Sequence, residues 1–511
     1  MGQFDEISRT GMVIDRAEIP RHQSDGGDGK LAELDRPSQG PVRSESDDNG
    51  CKLTAKKVGV NSGLPPKQRT HEPRRGLHSM SALALCGLLL AASPRSGSAE
   101  QGAPPPPGTK ITMQNWQQYK DFMPEGLAAM FAGKFSWKLP ADAEIDIGPT
   151  VNVPEPPTYV AATEKYGNQV QVVHLPDGHL DVRNYIGGVP FPNPQEPDKG
   201  YKVLVNLWYS YRPHLNVANI KYPVRDCIVD RFSNMSCESI DIVYRQEDYN
   251  TDPGVTVNES DKVWYTEWLM VEAPEQAKYT AQLTLFYKDN QTFQDEYVFV
   301  PNLRRTLRLS SAARCSPLLG SDLAQDDAQV SGFNGGIGVF DAKYLERKKI
   351  IALTGLYNYY AVGHDFPKGF YQPLMFPPPT IGQWQVRDVD VLDIRRVPSD
   401  ALGYCYGKRI MYIDTYYHTG HWQDLYDSNM KLWKTALLAV PDAAKVPGVP
   451  GGRAPGLDGF FTLWDVQNDH LTLITGLNES GEGYFVNSDA PKELQDYTRY
   501  GTPGGLSQIN R

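Results

Sequence analysis

Two histidines, His418 and His421, flank a Thr-Gly pair in the tract HTGH and supply two of the ligands that a metal site needs. Strand-like residues precede and follow the tract, so a tight turn between strands is the better interpretation. A second candidate is GSDLAQDD (Gly320–Asp327), which is followed by Asn334 and offers the oxygen ligands that calcium prefers. Its spacing matches no known calcium loop, and Asp-rich loops commonly cap turns and helices. We therefore predict no metal ion and no cofactor.

Three serines lie close together in the tract RLSSAARCSP, namely Ser310, Ser311 and Ser316. A serine nucleophile needs a general base and an oxyanion hole, and no residue pattern nearby identifies either. The motifs GxSxG, HExxH, GxGxxG and GxxxxGK do not occur after residue 99. We therefore predict that the protein is not an enzyme, and an unrecognised hydrolase is the remaining catalytic alternative.

The arginine-rich tract NLRRTLRL is predicted to be a strand, which places Arg304, Thr306 and Arg308 on one face. Asp388 and Asp390 share a face of another predicted strand in the same way. An Arg/Asp ladder that holds strands together is one interpretation. The other is that the arginines bind an anionic headgroup or the carboxylates of a partner, since Arg forms charge-assisted hydrogen bonds with both.

Aromatic residues recur in successive predicted strands and include Trp208, Tyr209, Tyr211, Trp264, Tyr265, Trp268, Phe286 and Tyr287. Most side chains of this kind form ordinary core. A curved sheet with a wide aromatic face also encloses an apolar cavity. The predicted ligand-binding residues are Trp208, Tyr209, Tyr211, Trp264, Trp268, Phe286, Arg304 and Arg308.

The elements that position these residues are mainly strands, because apolar side chains alternate with a period of two. Strands are predicted at Lys202–Pro213, Lys262–Glu272, Ala281–Asn290, Asp295–Pro301, Trp384–Val397, Lys408–His418, His421–Ser428 and Lys431–Val440. Hairpins are predicted around Pro176–Gly178 and Gln467–Asp469. Helices are predicted as two short pieces of Asn115–Lys134, broken at Pro124, and at Asp341–Ile351.

This order of elements predicts a mainly β protein of the α+β class, built on a large curved antiparallel sheet or open half-barrel with a few covering helices. There is no alternating βαβ pattern and no repeat with a period typical of solenoids. The Pro/Gly-rich tract Val440–Gly456 is predicted to be a loop that acts as a flap.

The first part of the chain carries an export signal. Arg74 and Arg75 precede the apolar stretch Ser81–Ala92 and the small residues SGSA, which is the order of a secretory signal peptide cleaved after Ala99. The polar residues before it have no periodicity and are predicted to be disordered or a mis-called extension. The predicted organisation is an extension (1–79), a signal peptide (80–99), a Pro-rich spacer (100–110), one large domain (111–500) and a frayed tail (501–511).

Composition excludes several classes of protein. The 511-residue chain has a net charge of −10 and no long basic block, which argues against nucleic acid as a partner. No apolar run reaches the roughly 18–20 residues of a membrane-spanning helix. Cleavage after Ala99 leaves the cysteines Cys227, Cys237, Cys315 and Cys405. Three pairings are possible, and the short separation favours Cys227 with Cys237, which leaves Cys315 with Cys405.

Four tracts together resemble one family, domain-of-unknown-function family 1329. They are Asn115–Thr150, Asn184–Tyr209, Pro301–Ile337 and Lys408–Lys434. The resemblance extends over roughly residues 110–500. One departure from the family pattern is Met430, where a turn glycine is expected, and Asn429 is the residue that we expect to take the positive φ instead.

The resemblance implies an exported protein of Gram-negative bacteria that is similar to the LolA/LolB-like lipoprotein-carrier superfamily, whose fold is an open half-barrel over an apolar cavity. It implies no catalytic residues. The function that we predict is a periplasmic carrier or binding protein for a hydrophobic or amphiphilic, lipid-like molecule, linked to outer-membrane transport. The alternative is an accessory protein that docks on an outer-membrane barrel or an RND-type pump and has no ligand of its own.

Overall fold

A computed structural model describes residues 101–509, apart from residues 219–223, 256–261, 310–313, 328–331, 357–368, 440–459 and 476–484. The predicted extension, the signal peptide and the loop Val440–Gly456 lie outside the described residues. Within the described part of the chain, no helix has the length and hydropathy that crossing a membrane requires.

Short elements precede the main sheet. They are β1 (Lys110–Thr112), a 3-10 helix (Trp116–Phe122), α1 (Glu125–Phe131), β2 (Glu144–Asp146), α2 (Pro157–Tyr166), β3 (Gln171–His174), β4 (Leu180–Arg183) and α3 (Lys199–Trp208). The two predicted short helices around Pro124 are confirmed, and so is the β3–β4 hairpin. Proline separates the helices because it lacks the N–H that a continuous helix would need at that position.

In the described part of the chain, fifteen strands form one sheet. They are β5 (Leu215–Ala218), β6 (Val224–Asp230), β7 (Met235–Gln246), β8 (Val263–Ala273), β9 (Ala281–Tyr287), β10 (Asp295–Val300), β11 (Arg305–Arg308), β12 (Phe340–Leu356), β13 (Gly382–Arg396), β14 (Lys408–Asp414), β15 (Gly420–Tyr426), β16 (Leu432–Ala439), β17 (Phe460–Asp465), β18 (His470–Thr475) and β19 (Phe485–Val486). All pairs are antiparallel, and β6 pairs with β18 to join the two halves of the sheet. The end strands β11 and β12 do not pair with each other, so the predicted open antiparallel sheet is confirmed.

Because the strands alternate in direction, the turns between them lie along two opposite rims of the sheet. One of these, the six-turn rim, contains the turns that follow β6, β8, β10, β13, β15 and β17. The register places all six at the same end, since Asp230 lies opposite His470 where the two halves meet. The opposite rim contains the turns after β7, β9 and β14.

The strand predicted at Lys202–Pro213 is wrong, because residues Lys199–Trp208 form helix α3. Tyr201, Leu204 and Trp208 are buried with helical spacing, but Val203 and Val205 are buried too. A helix that is buried almost all round shows no clear period, and its β-branched residues imitate a strand. Gly200 permits this burial, since a Cβ there would lie 2.0 Å from the carbonyl oxygen of Ala342 in β12.

The helix predicted at Asp341–Ile351 is also wrong, because this segment belongs to the long strand β12. Its charged residues lie opposite carboxylates of β13. Arg347 faces Asp390, and Lys349 faces Asp388 at 2.7 Å. Opposite charges directly across a strand pair stabilise that pair, so the basic residues of β12 provide cross-strand partners rather than a helical polar face. The predicted aspartate ladder exists, and its partners are on β12 and not in the arginine-rich tract.

The predicted frayed tail is wrong for the described residues, because the chain end packs on the sheet. Helices α4 (Tyr497–Tyr500) and α5 (Pro503–Leu506) cover one face of β7–β10. The side chain of Leu506 is fully buried, and Thr502 caps α5 by accepting a hydrogen bond from the Gly505 N–H. Apolar burial and a capping side chain together hold this segment in place.

The two predicted cysteine pairs are present. Cys227 on β6 is bonded to Cys237 directly across the strand pair on β7, and Cys315 is bonded to Cys405 in the turn between β13 and β14. The expected turn after β15 is formed, but Met430 itself has the positive φ of 60° that we expected of Asn429.

Candidate ligand-binding site

Four of the eight predicted ligand residues lie together. Trp208, at the end of α3, lies 6.0 Å from the ring of Trp264 on β8 and 6.1 Å from that of Phe286 on β9, centroid to centroid. Tyr209 lies 5.4 Å from Trp264. These contacts cross from a helix to two strands, so sequence spacing alone does not predict them.

The other four predicted residues lie apart from this group. Trp268 is on the opposite face of β8, where it packs against Tyr500 at 4.9 Å. Tyr211 donates a hydrogen bond to Asp252. Arg308 pairs with Asp295 on the end strand β11, and Arg304 has a φ of 49° in the turn before that strand. The prediction that Arg304 shares a strand face with Arg308 is therefore wrong.

The group around Trp208 is larger than the sequence predicted. This aromatic cluster consists of Tyr185, Trp208, Tyr209, Tyr249, Trp264, Tyr265, Phe286 and Phe333. Ring centroids of neighbours lie between 4.1 Å and 6.2 Å apart, and Tyr185 and Tyr249 are the members that reach the surface. Among the described residues the rings pack on each other as a layer, whereas the sequence predicted an open cavity.

Three described grooves or cavities are lined by residues outside the aromatic cluster. One of about 590 Å³ lies beside Gly167 and Lys202, and one of about 570 Å³ lies beside Tyr287 and Arg308. A smaller cavity of about 150 Å³ lies between Trp268 and helix α5. None of these three cavities is lined by a member of the aromatic cluster.

Two buried ionisable side chains lie beside the aromatic cluster. The guanidinium of Arg212 lies 4.7 Å from the ring centroid of Tyr265 and 5.5 Å from that of Trp264, and it is 5% exposed. Such cation–π contacts stabilise a cation that has lost its water. Arg212 donates to the Trp208 carbonyl at 3.3 Å and forms no ion pair with any carboxylate among the described residues.

Glu267 is the second of these groups. It lies on the same face of β8 as Tyr265, is 5% exposed, and its Oε1 has no hydrogen-bond partner in the described structure. Burial raises the pKa of Glu267 to about 8, although the charge of Arg212 lowers it and that of Glu296 raises it further. Burying a carboxyl oxygen without a hydrogen bond lowers the stability of the folded protein. A polar group of a ligand, or a water molecule, that bonded to Oε1 would remove this cost.

A row of polar side chains continues from Glu267 across the sheet. Thr284 on β9 lies directly opposite Glu267, and Glu296 on β10 lies directly opposite Thr284. Burial also raises the pKa of Glu296, against the effect of Arg314. The polar row lies beside the aromatic cluster on the same face of the sheet. This buried face therefore has an apolar part, formed by the rings, and a polar part, formed by the row.

Residues 314–327, the covering segment, lie over this face. Asp326 in this segment pairs with Arg314 and with Arg396 of β13 at 3.2 Å. Burial acts to raise the pKa of Asp326, but Arg314 and Arg396 outweigh it and hold the pKa below its usual range. Asp327 accepts a hydrogen bond from Arg409 of β14 at 2.9 Å.

These ion pairs involve two of the aspartates that were considered as calcium ligands. The carboxylates of Asp326 and Asp327 bind arginine side chains, which removes them as calcium ligands in this arrangement. In the HTGH tract, His421 lies 2.8 Å from Asp414, which also binds Arg387 at 2.8 Å. Among the described residues no group of three or more metal-ligating side chains is found.

The chain matches the family described as "Protein of unknown function (DUF1329)" over residues 110–502. The protein belongs to this family. The predicted resemblance is thereby confirmed. No curated protein matches the chain.

Three similar solved structures share low sequence identity with the chain. A "putative outer membrane lipoprotein-sorting protein domain" from Vibrio parahaemolyticus is 14% identical with a TM-score of 0.39, covering 58% of this chain and 95% of that one. A DUF1329 family protein from Desulfovibrio piger is 13% identical with a TM-score of 0.38, covering 60% and 100%. A LolA superfamily protein from Nitrosomonas europaea is 13% identical with a TM-score of 0.32, covering 58% and 96%.

The raised pKa of Glu267 makes stability depend on pH. Between about pH 4.5 and pH 8 the folded protein keeps a proton that the unfolded chain releases, so stability falls as pH rises through this window. Glutamine cannot ionise. Glu267→Gln is therefore expected to match the wild type near about pH 4 and to exceed its unfolding free energy by on the order of 4 kcal/mol near about pH 9.

Urea unfolding of both proteins at the two pH values measures this difference. The matched control is Glu275→Gln, since Glu275 is exposed in the turn after β8 and the substitution should leave the difference near zero at both. A Glu267→Gln variant that is equally stable at both pH values, relative to the wild type, would show that Glu267 ionises freely in the folded state.

Proposed function

We propose that the protein is a non-catalytic binding protein or carrier for an amphiphilic molecule, which it binds at the aromatic cluster with the polar headgroup between Arg212 and Glu267. The observation that carries the proposal is the pair of buried groups beside the rings. Arg212 is a desolvated cation that lacks an anionic partner among the described residues, and Glu267 has an unsatisfied oxygen. A headgroup that accepts from Arg212 and exchanges a proton or hydrogen bond with Glu267 satisfies both.

The apolar part of the ligand would lie among the rings. Transfer of an acyl chain from water contributes about 0.8 kcal/mol per CH₂, so a chain of about a dozen methylenes outweighs the cost of ordering it. Tyr185 and Tyr249 reach the surface and so form the opening through which a chain would enter. Opening this pair leaves the rest of the sheet intact, because neither residue belongs to a strand.

The compartment that we propose is the periplasm. Both disulfides link described segments of the domain, and such bonds persist in oxidising compartments. The signal peptide predicted at residues 80–99 is the export device. The resemblance of the sequence to the lipoprotein-carrier superfamily leads to the same class of ligand and to a link with outer-membrane transport.

Binding of laurate to the delipidated protein, measured by calorimetry and by quenching of tryptophan fluorescence, tests the proposal. The wild type is expected to bind laurate more tightly than dodecanol, because only the carboxylate meets Arg212. Arg212→Gln should weaken laurate binding by about tenfold or more and change dodecanol binding little.

Trp268→Phe is the matched control, since Trp268 lies on the opposite face of the same strand and should leave both affinities unchanged. Absence of binding to laurate, dodecanol and a sterol-like probe would refute the proposal. Equal weakening by Trp268→Phe and Arg212→Gln would refute the assignment of the site.

The accessory-protein alternative is tested by pull-down from envelope extracts, where a stoichiometric outer-membrane barrel or RND-type pump without co-purified lipid would favour it.

Hydrolysis receives little support from the described residues. Ser399 Oγ lies 3.4 Å from His179 Nε2, but Asp400 lies 2.7 Å from the same nitrogen. Hydrogen bonding to Asp400 raises the pKa of His179, with a further contribution from Asp177. The Ser399 hydroxyl donates to Asp400 at 2.8 Å, so it is not arranged to transfer its proton to His179.

A further inference from the structure

Exposed large apolar side chains gather on the six-turn rim. Of eleven such residues in the described structure, six lie in or beside its turns, namely Phe232, Met235, Tyr279, Leu303, Leu402 and Met430. The side chain of Leu402 is 98% exposed and that of Phe232 is 72% exposed. Single exposed apolar residues are common on protein surfaces, but more than half of the eleven lie along this one rim.

Basic residues accompany these apolar side chains. Arg231 precedes Phe232, Lys278 precedes Tyr279, and Lys431 follows Met430. Arg304 and Arg305 follow Leu303, are exposed, and form no ion pair with any described residue. This pattern contrasts with the net charge of −10 of the whole chain.

The acidic side chains on the same rim keep their negative charge, and most of them have a local hydrogen-bond or ionic partner. Asp230 and Asp427 accept hydrogen bonds from backbone N–H groups of their own turns. Asp469 pairs with Arg231, and Asp400 pairs with His179. Glu275 is the exposed acid beside Lys278, at 3.9 Å. The basic residues of the other turns lie close to carboxylates, since Arg231 pairs with Asp469 and the charge of Lys431 acts on Asp427. The positive charge that no neighbouring carboxylate balances is therefore that of Arg304 and Arg305, in the turn after β10.

We propose that the six-turn rim docks on the surface of a membrane that contains anionic phospholipid. Its turns extend from β10–β11 to β13–β14 across eleven strand spacings, which corresponds to roughly 50 Å along the rim at about 4.8 Å per strand. A protein partner would need one compact patch, whereas separate apolar tips spread along a rim fit a continuous and deformable surface. The apolar tips enter the interface between headgroups and acyl chains, and the basic residues lie at the level of the phosphates.

In this orientation the strands extend away from the membrane surface, with the six-turn rim nearest to it. Trp264, at the start of β8, and Phe286, near the end of β9, lie toward the opposite rim. Docking thus leaves the aromatic cluster and its opening accessible, and it does not depend on what the cluster binds.

Flotation of the purified protein with vesicles of phosphatidylethanolamine and phosphatidylglycerol tests the proposal. The wild type is expected to float with these vesicles at low salt and much less with pure phosphatidylcholine. Phe232→Ser combined with Leu402→Ser should reduce the bound fraction by about tenfold or more, since two apolar insertions are lost. Arg304→Glu combined with Arg305→Glu should cause a similar loss at low salt that shrinks at high salt.

The matched control is Ile186→Ser, because Ile186 is similarly exposed but lies in the loop after β4, away from the rim. All four substituted rim residues are exposed, so circular dichroism should show unchanged folding. Failure of the wild type to bind the anionic vesicles would overturn the proposal, and so would an equal loss with Ile186→Ser. Binding of the rim to an envelope protein, with no vesicle binding, would reassign it to a protein partner.

Discussion

Replacing Asp327 with alanine is expected to lower the free energy of unfolding by about 3–5 kcal/mol, because it leaves a buried guanidinium without its counter-charge. Asp327 has no exposed surface and accepts from Arg409 at 2.9 Å, from the Ala324 N–H at 2.9 Å and from Tyr406. The nearest further cation is Lys434 at 4.0 Å. Urea denaturation at neutral pH measures the loss.

Asp388→Ala is the control for this substitution. Asp388 binds Lys349 at 2.7 Å, but both side chains are largely exposed, so its removal should cost less than about 1 kcal/mol. Adding Arg409→Met to Asp327→Ala should recover part of the stability, because it removes the unpaired charge. Similar small losses for Asp327→Ala and Asp388→Ala would mean that water reaches Arg409 in the folded protein.

Removing the disulfide between Cys315 and Cys405 is expected to cost about 4–5 kcal/mol. The two cysteines are separated by 90 residues, and a cross-link over a long loop removes much of the conformational entropy of the unfolded chain. The same bond ties the beginning of the covering segment to the turn between β13 and β14. Calorimetric and urea unfolding of the Cys315→Ala/Cys405→Ala protein measure the effect.

The bond between Cys227 and Cys237 provides the comparison, since its separation of 10 residues predicts a smaller loss of about 3 kcal/mol for Cys227→Ala/Cys237→Ala. This shorter bond joins strands that already pair through the backbone. If its removal cost more than removal of the longer bond, loop length would not control the contribution of these disulfides.

Local signals in the sequence were sufficient for the strands and hairpins of the main sheet. Alternating apolar residues predicted β8, β9, β13 and β16, and turn residues placed the β3–β4 and β17–β18 hairpins. The pattern failed where burial on all sides removes the period, as in α3, and where charged residues pair across strands, as in β12. In both cases partners distant in sequence, not local preference, select the backbone conformation.

The sequence predicted the aromatic residues of the candidate site but not its ionisable residues. Trp208, Trp264 and Phe286 follow from the aromatic content of their segments, but a register shift in β8 and the packing of the chain end decide that Trp268 faces away. Arg212 and Glu267 gave no signal in the sequence. Both side chains are buried, Arg212 without an ionic partner among the described residues and Glu267 without a hydrogen bond to its Oε1. Burial depends on how the whole chain packs, so the sequence does not show it.

The sequence by itself determined the β-rich class, the antiparallel order of its hairpins, the four cysteines that pair, and the family, because these depend on residue types at short spacing. Only the tertiary structure decided which aromatic rings meet, which charges are buried, and that exposed apolar residues gather on one rim. The physical reason is that faces and rims are defined by strand register across the whole sheet, and each register depends on residues far apart in the chain.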